Sequence, residues 1–289
     1  MSERVRIDRF LAKEGLGSRA DVKKIIRSGG VFVNNQAVVS GDMKIDPDLD
    51  EVIVNGKRVR RMAFVTIMLN KPSGVVSATK DGRFRTVTDL IREPWAEGLF
   101  PVGRLDKDTE GLLLLTKDGD LCHALLSPRK HVPKTYFAVI SGMPDPGIAE
   151  EFREGIEIGD QKKTLPAGLS FLSRNPCGSG LKAAQAEKTI LLGSGSIQPS
   201  DPRIAGLGSI RPEDYARCGE EECCAVVTIT EGRFHQIKRM FGAFGREVHF
   251  LKRISMGALA LDPALGPGQY RMLSAEEMVL LRVGGTEKI

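Results

Sequence analysis

No run of apolar residues in this 289-residue chain approaches the roughly 20 that a membrane-spanning helix needs. The opening MSERVRIDRFLAKEG carries charges where a secretion signal requires an apolar stretch. These absences predict a cytoplasmic protein with no membrane partner. Cysteine is scarce too: Cys122, Cys177, Cys218, Cys223 and Cys224 are odd in number and show no paired metal-ligand spacing. Reduced thiols and no bound metal are expected, zinc through the last three cysteines being the weaker reading. What is present is length enough for two domains or one elaborated domain, 41% hydrophobic residues to supply a sizeable core, and a formal charge of +5. Such a charge permits a polyanionic partner without demanding one, so its placement matters more than its size.

The first sixty residues read as a module of their own. Ile7, Phe10 and Leu11 fall at helical spacing, and a second apolar set, Val22, Ile25 and Ile26, follows Ser18 as cap. After Gly29-Gly30 the pattern alternates: VFVNNQAVV turns at Asn34-Asn35, and EVIVNGKRV carries the Asn55-Gly56 signal of a tight hairpin. Two helices on a small sheet are expected. Up to Arg27 this module holds eight basic residues (Arg4, Arg6, Arg9, Lys13, Arg19, Lys23, Lys24, Arg27) against four acids. By charge alone that is a solvated helical face.

From Phe64 the chain reads as a larger mixed domain. FVTIMLNKPSGVVSA suggests two strands about a turn, TVTDLI a short helix, GLLLLTKDGD a buried strand closed by an Asp-Gly turn, and KTYFAVISG another strand. DPGIAEEFREGI has Asp145 as cap, Pro146 at the first helical position and an Ile148/Phe152 apolar pair, so a helix follows. Irregular interleaving of strands and helices indicates an α+β fold. Residues 173–222, rich in Gly, Ser and Pro, read as a surface insertion, with LKAAQAEKTILL as a candidate short helix inside it and regular structure resuming at Ala225.

EGRFHQIKRMFGAFG predicts a turn and then a helix with Ile237, Met240, Phe241 and Phe244 on one stripe. At about 100° per residue, His235 and Lys238 flank that stripe beside Gly242, while Arg239 points away. Lys238 can therefore border a cleft, although such a lysine commonly only snorkels over the core.

RIDRFLAKEGLGSRADVKKIIRSGGVFVNNQAV resembles the S4 RNA-binding domain in order, spacing and glycine placement, which implies that Arg6, Arg9, Arg19, Lys23, Lys24 and Arg27 grip RNA. GRLDKDTEGLLLLTKDGDL, KTYFAVISG and EGRFHQIKRMFGAFG together resemble, in order, the three signature segments of the RsuA/RluB type of pseudouridine synthases. The later LKRISMGALALDPALGPGQYRMLSAEE is most similar to that family's small-subunit (16S) rRNA branch. The resemblance implies an S4-like module (1–61) and a catalytic domain (62–289, with the 173–222 insertion) built on a central, mixed, mainly antiparallel sheet.

It also implies roles. Asp106 would be the catalyst in breaking the uracil N1 to ribose C1′ bond and rejoining the base through C5, either by attack on C1′ or by abstracting a ribose proton. Lys238 would keep Asp106 ionised, Tyr136 would stack on the uracil and help remove the C5 proton, and Arg104 would face the RNA or fill the space of a flipped uridine. Asp108, two residues on, is the competitor for Asp106. Lys71 reads as structural or RNA-facing. No cofactor or metal is implied. The partner would be ribosomal RNA, met by a monomer within a ribosome-assembly intermediate. The alternatives are a large-subunit (23S) rRNA enzyme and a non-catalytic assembly factor; the joint presence of Asp106, Tyr136 and Lys238 speaks against the latter.

Overall fold

The computed structural model describes residues 4–47, 49–59, 65–143, 145–172 and 206–283. Contacts divide the chain into two compact units, Met1–Val65 with Thr88–Phe100, and Thr66–Val87 with Pro101–Ile289.

In the first unit, α1 (Ile7–Lys13) and α2 (Arg19–Arg27) lie against a sheet of β1 (Val31–Val33), β2 (Gln36–Ala37), β3 (Val52–Val54) and β4 (Lys57–Val59), in the order β2-β1-β3-β4. Ser18 starts α2 with a reciprocal capping box: its hydroxyl accepts from the Asp21 amide and the Asp21 carboxylate accepts from the Ser18 amide. Asn34, Asn35 and Asn55 take positive φ at the two hairpin turns, the conformation that made those turns legible. Ile7, Phe10, Leu11, Val22, Ile26, Val31 and Val52 close a separate core. Residues 88–100, which the sequence left with the second domain, pack here through the turn Pro94–Ala96 against α1. TVTDLI is a single 3-10 turn, Thr88–Leu90.

The second unit is built on a large mixed sheet. Its strands are β5 (Thr66–Lys71), β6 (Glu110–Thr116), β7 (Lys134–Ser141), β8 (Gly168–Leu172), β9 (Glu222–Ile229), β10 (Val248–Met256) and β11 (Tyr270–Met272), in the order β8-β9-β7-β10-β6-β5-β11. The β10/β6 pair is parallel and the others along this path are antiparallel. Leu112 to Leu115 are all fully buried, which is why β6 reads as an unbroken apolar run: both faces of the sheet are covered. Each such leucine stabilises by about 1.5–3 kcal/mol, and a one-residue slip would exchange their faces, so they fix the strand that follows the 103–109 loop.

Three local expectations change. The Asp118-Gly119 pair does not close a turn between strands: the Asp118 carboxylate accepts from the Leu121 amide at 3.0 Å and starts α3 (Gly119–Leu126). After β5 no second strand forms, because Gly74 turns the chain at φ +85° and Val76 makes only an isolated bridge to Thr86. The helix expected at DPGIAEEFREGI is present as α4 (Pro146–Glu154), capped by Asp145, with Phe152 packed on Phe241 of α5 (Gln236–Gly242) at 5.0 Å between ring centroids.

The third change concerns the insertion. Residues 173–205, including LKAAQAEKTILL, lie outside the described residues, but 206–222 do not hang outside the core. Asp214 accepts from Lys252 of β10 at 2.5 Å with both side chains almost wholly buried, Tyr215 meets Phe137 edge-on at 5.2 Å, and the Arg217 guanidinium sits 4.3 Å over the Phe250 ring. Its helices, Leu207–Ser209 and Pro212–Tyr215, are too short to show periodicity, so composition alone suggested a loop. Breaking a buried pair strands a charge, so Asp214→Ala should lower stability by about 3–5 kcal/mol in urea unfolding. A loss under about 1 kcal/mol would mean that the segment is only loosely attached. Among the described residues, no helix is long and apolar enough to cross a membrane.

Candidate active site

The loop between Gly103 and Thr109 is held from beneath by two side chains that precede it in sequence. Ser77 Oγ donates to the Leu105 carbonyl (2.9 Å) and accepts from the Leu105 amide (3.0 Å). Lys71, fully buried at the end of β5, donates to the carbonyls of Thr109 (2.8 Å), Pro72 (3.1 Å) and Lys107 (3.2 Å). Burial presses the Lys71 amine down to about 8 against the pull of Glu110, Asp108 and Asp106. Three acceptors need three hydrogens, so the geometry specifies the ammonium. Of the two roles expected for Lys71, structural or RNA-facing, this buried placement fits the structural one.

Asp106 tops this loop with its side chain 27% exposed. Lys238 of α5 places its amine 3.9 Å from Asp106 Oδ2, an ion-pair distance, but its hydrogen bonds go to Asp108, at 2.7 and 2.6 Å to the two oxygens. Lys238 therefore makes no direct hydrogen bond to Asp106, the carboxylate the resemblance assigns it to keep ionised, and reaches it only as a charge. Burial alone would raise the Asp108 carboxyl, yet the Lys238 hydrogen bonds and charge outweigh it and hold the group below its ordinary range. On the other side, His235 Nε2 lies 3.6 Å from Asp106 Oδ1. His235 precedes α5 with φ 50°, a left-handed conformation uncommon outside glycine, and this aims the ring at the loop. A groove of about 430 Å³ lined by Asp108, Lys238, Gly245, Arg246, Glu247 and Val248 opens beside the pair.

Tyr136 is buried (7% exposed) in β7. Register places it opposite Arg253, Arg253 opposite Gly111, and Gly111 opposite Lys71, so the four occupy one row across β7, β10, β6 and β5. Paired residues share a face, and Tyr136 thus belongs to the face on which Lys71 supports the Asp106 loop. Gly111, at φ +96°, lets β6 approach β10: an added Cβ would collide with the Arg253 backbone. Arg104 is exposed in the same loop.

In the first unit Arg9, Arg19, Lys23, Lys24 and Arg27 are all exposed, with Arg19, Lys23 and Arg27 at four-residue steps along α2. Arg9 and Arg19 line a groove of about 510 Å³. Arg6 is engaged otherwise: its guanidinium grips the buried Asp8 carboxylate at 3.1 and 2.9 Å, and those bonds hold Asp8 below the usual carboxylate range.

The support of the loop by Ser77 left no trace in the sequence, since a serine 28 residues upstream carries no pattern that points to Leu105. Asp108 as the partner of Lys238 was within reach, because the two aspartates lie two residues apart, but side-chain direction on a helix does not choose between them.

Comparison with known proteins bears on this arrangement. Residues 65–243 match the RNA pseudouridylate synthase family and residues 5–50 the S4 domain. An uncharacterized RNA pseudouridine synthase, YtzG, of Bacillus subtilis (strain 168) is 39% identical over 96% of this chain and 98% of its own. Ribosomal small subunit pseudouridine synthase A of Yersinia pestis is 33% identical over 95% and 97% of the two chains, and that of Escherichia coli (strain K12) is 32% identical over 95% and 98%. A crystal structure of a pseudouridylate synthase superposes with a TM-score of 0.56 at 29% identity, covering 96% of this chain and 99% of that one.

Proposed function

The chain belongs to the RNA pseudouridylate synthase family, and on that premise we propose that it isomerises a specific uridine of small-subunit (16S) rRNA with Asp106 as catalyst. The observation that carries the reading is Asp106 itself: a half-buried carboxylate on a loop braced by Lys71 and Ser77, with Lys238 and His235 beside it. Relatives named for small-subunit rRNA align with nearly all of this chain, which supports 16S rRNA as the substrate.

The isomerisation is redox neutral and hydrolyses nothing. The N1 to C1′ bond breaks, the uracil turns, C5 bonds to C1′, and the C5 proton is lost while N1 gains one. Whether it attacks C1′ or removes a ribose proton, Asp106 must be ionised. Lys238 supplies the compensating charge in a site where an isolated carboxylate would otherwise be costly. Tyr136, on the sheet face beneath, is suited to stack on the base once it is flipped out, and Arg104, exposed on the same loop, to hold its place or a phosphate. Because C5 loses its hydrogen, purified protein should release tritium from [5-³H]uridine-labelled 16S rRNA taken from cells lacking the gene. Release from 23S rRNA alone would move the substrate to the large subunit, and no release from either would remove the activity.

The exposed α2 row is proposed to contact phosphates. Changing Arg19, Lys23 and Arg27 together to Gln should weaken rRNA binding and make the log–log salt slope shallower by roughly 2, since fewer counterions are displaced. An unchanged slope in filter binding would mean that this face is only solvated.

A further inference from the structure

Phe234 is the most exposed aromatic ring among the described residues, 76% accessible, and it stands in the turn that leads into α5. Its ring stacks on His235 at 3.9 Å between centroids and 16° between planes, and His235 is the residue whose Nε2 faces Asp106. A single exposed ring is ordinary on a protein surface, so what sets this one apart is its place, stacked on the histidine that faces Asp106.

The turn is not free to fold the ring away. Arg233 holds Glu231 (3.0 Å) and donates to the carbonyls of Lys162 and Lys163 (2.7 Å each). Arg239 donates to the Phe234 carbonyl (3.2 Å) and is tied to Asp160 at 2.6 Å. The backbone on both sides of Phe234 is thus pinned by arginines already paired, and the ring is presented on a rigid support. The same bonds bring the exposed Lys162 and Lys163 next to the turn. An open aromatic face on a fixed backbone with flanking free ammonium groups is the combination that holds single-stranded nucleic acid. Phe84, the other exposed ring near the loop, differs, because Lys107 already lies 3.6 Å over its face.

We propose that Phe234 is a base-stacking residue of the substrate site, receiving the nucleobase next to the flipped uridine and continuing the His235–Phe234 stack by one ring. The proposal rests on the reading of the chain as an rRNA pseudouridine synthase and adds a gripping point to it. When the target uridine leaves its stack, a neighbouring base loses a partner, and Phe234 replaces it.

The test uses the full-length protein, 16S and 23S rRNA purified separately from cells lacking the gene, and three variants: Phe234→Ala, Phe234→Leu and Phe234→Tyr. Because the side chain is exposed, thermal unfolding should be the same for all. Binding of the RNA that wild type isomerises, or binds more tightly, should weaken roughly 5- to 150-fold for Ala and for Leu, the range of one base–aromatic stack, while Tyr stays near wild type. The enzyme concentration that half-saturates single turnover should rise by the same factor. Leu binding as tightly as Phe would overturn the proposal, since only apolar contact would then be needed. So would a rate lost at saturation with affinity intact, which would place Phe234 behind His235 as a support for Asp106. Binding is read apart from turnover, so a wild-type protein that binds but does not isomerise contradicts the proposed function and leaves this measurement standing.

Discussion

Asp106→Asn is expected to lower single-turnover tritium release by at least about 10³-fold, the order associated with removing a nucleophile or general base. The change is nearly isosteric, and the loop is held through backbone groups: Ser77 grips Leu105, Lys71 grips Thr109 and Lys107, and the Thr109 amide donates to the Asp106 carbonyl. None of these needs the carboxylate, so the loop should keep its shape. RNA affinity should stay within about threefold, because the substitution removes no positive charge that could contact a phosphate. Near-normal turnover by this variant, with loss in Asp108→Asn instead, would shift the catalyst by two residues.

The second large effect is expected at Lys238. Its amine lies 2.6–2.7 Å from both Asp108 oxygens and 3.9 Å from Asp106, so one cation serves two carboxylates. Lys238→Met leaves two like charges close together with that cation gone, and the Asp108 carboxyl loses the partner that holds it below its ordinary range. The variant should lose about 10²-fold or more in single-turnover rate at neutral pH with saturating RNA. Lys238→Arg keeps the charge and adds donors, and should retain roughly a tenth of the rate or more. Asp108→Asn separates two accounts. Asp108 is 67% exposed, so if it only shares the cation, its neutralisation frees Lys238 for Asp106 and the rate should change by less than about tenfold. If Lys238 merely binds RNA, the methionine variant would bind more weakly and turn over normally once saturated.

These particulars mark what could be read in advance. The S4-like unit was legible because its cues are local: Asn34-Asn35 and Asn55-Gly56 adopt the positive φ that tight hairpins require, and Ser18 with Asp21 completes a capping box. The all-buried β6 was equally plain from its four leucines. Asp118-Gly119 failed as a turn because aspartate before glycine serves a hairpin and a helix start alike, and only the Leu121 amide decides. Residues 206–222 failed because what ties them down is tertiary: Asp214 on Lys252, Tyr215 on Phe137. For the site, motif order names Asp106, Tyr136 and Lys238 as candidates. Which aspartate takes the lysine's hydrogen bonds, and that Phe234 would stand in solvent stacked on His235, depend on distances that spacing does not encode.

The central claim is tested most directly by mapping pseudouridines across all rRNA from cells lacking the gene, complemented with wild type or with Asp106→Asn at matched protein levels. The account predicts one 16S rRNA uridine that loses its modification on deletion, regains it with wild type and stays unmodified with Asp106→Asn. Restoration by Asp106→Asn, or a deletion-sensitive site found only in 23S rRNA, would contradict it.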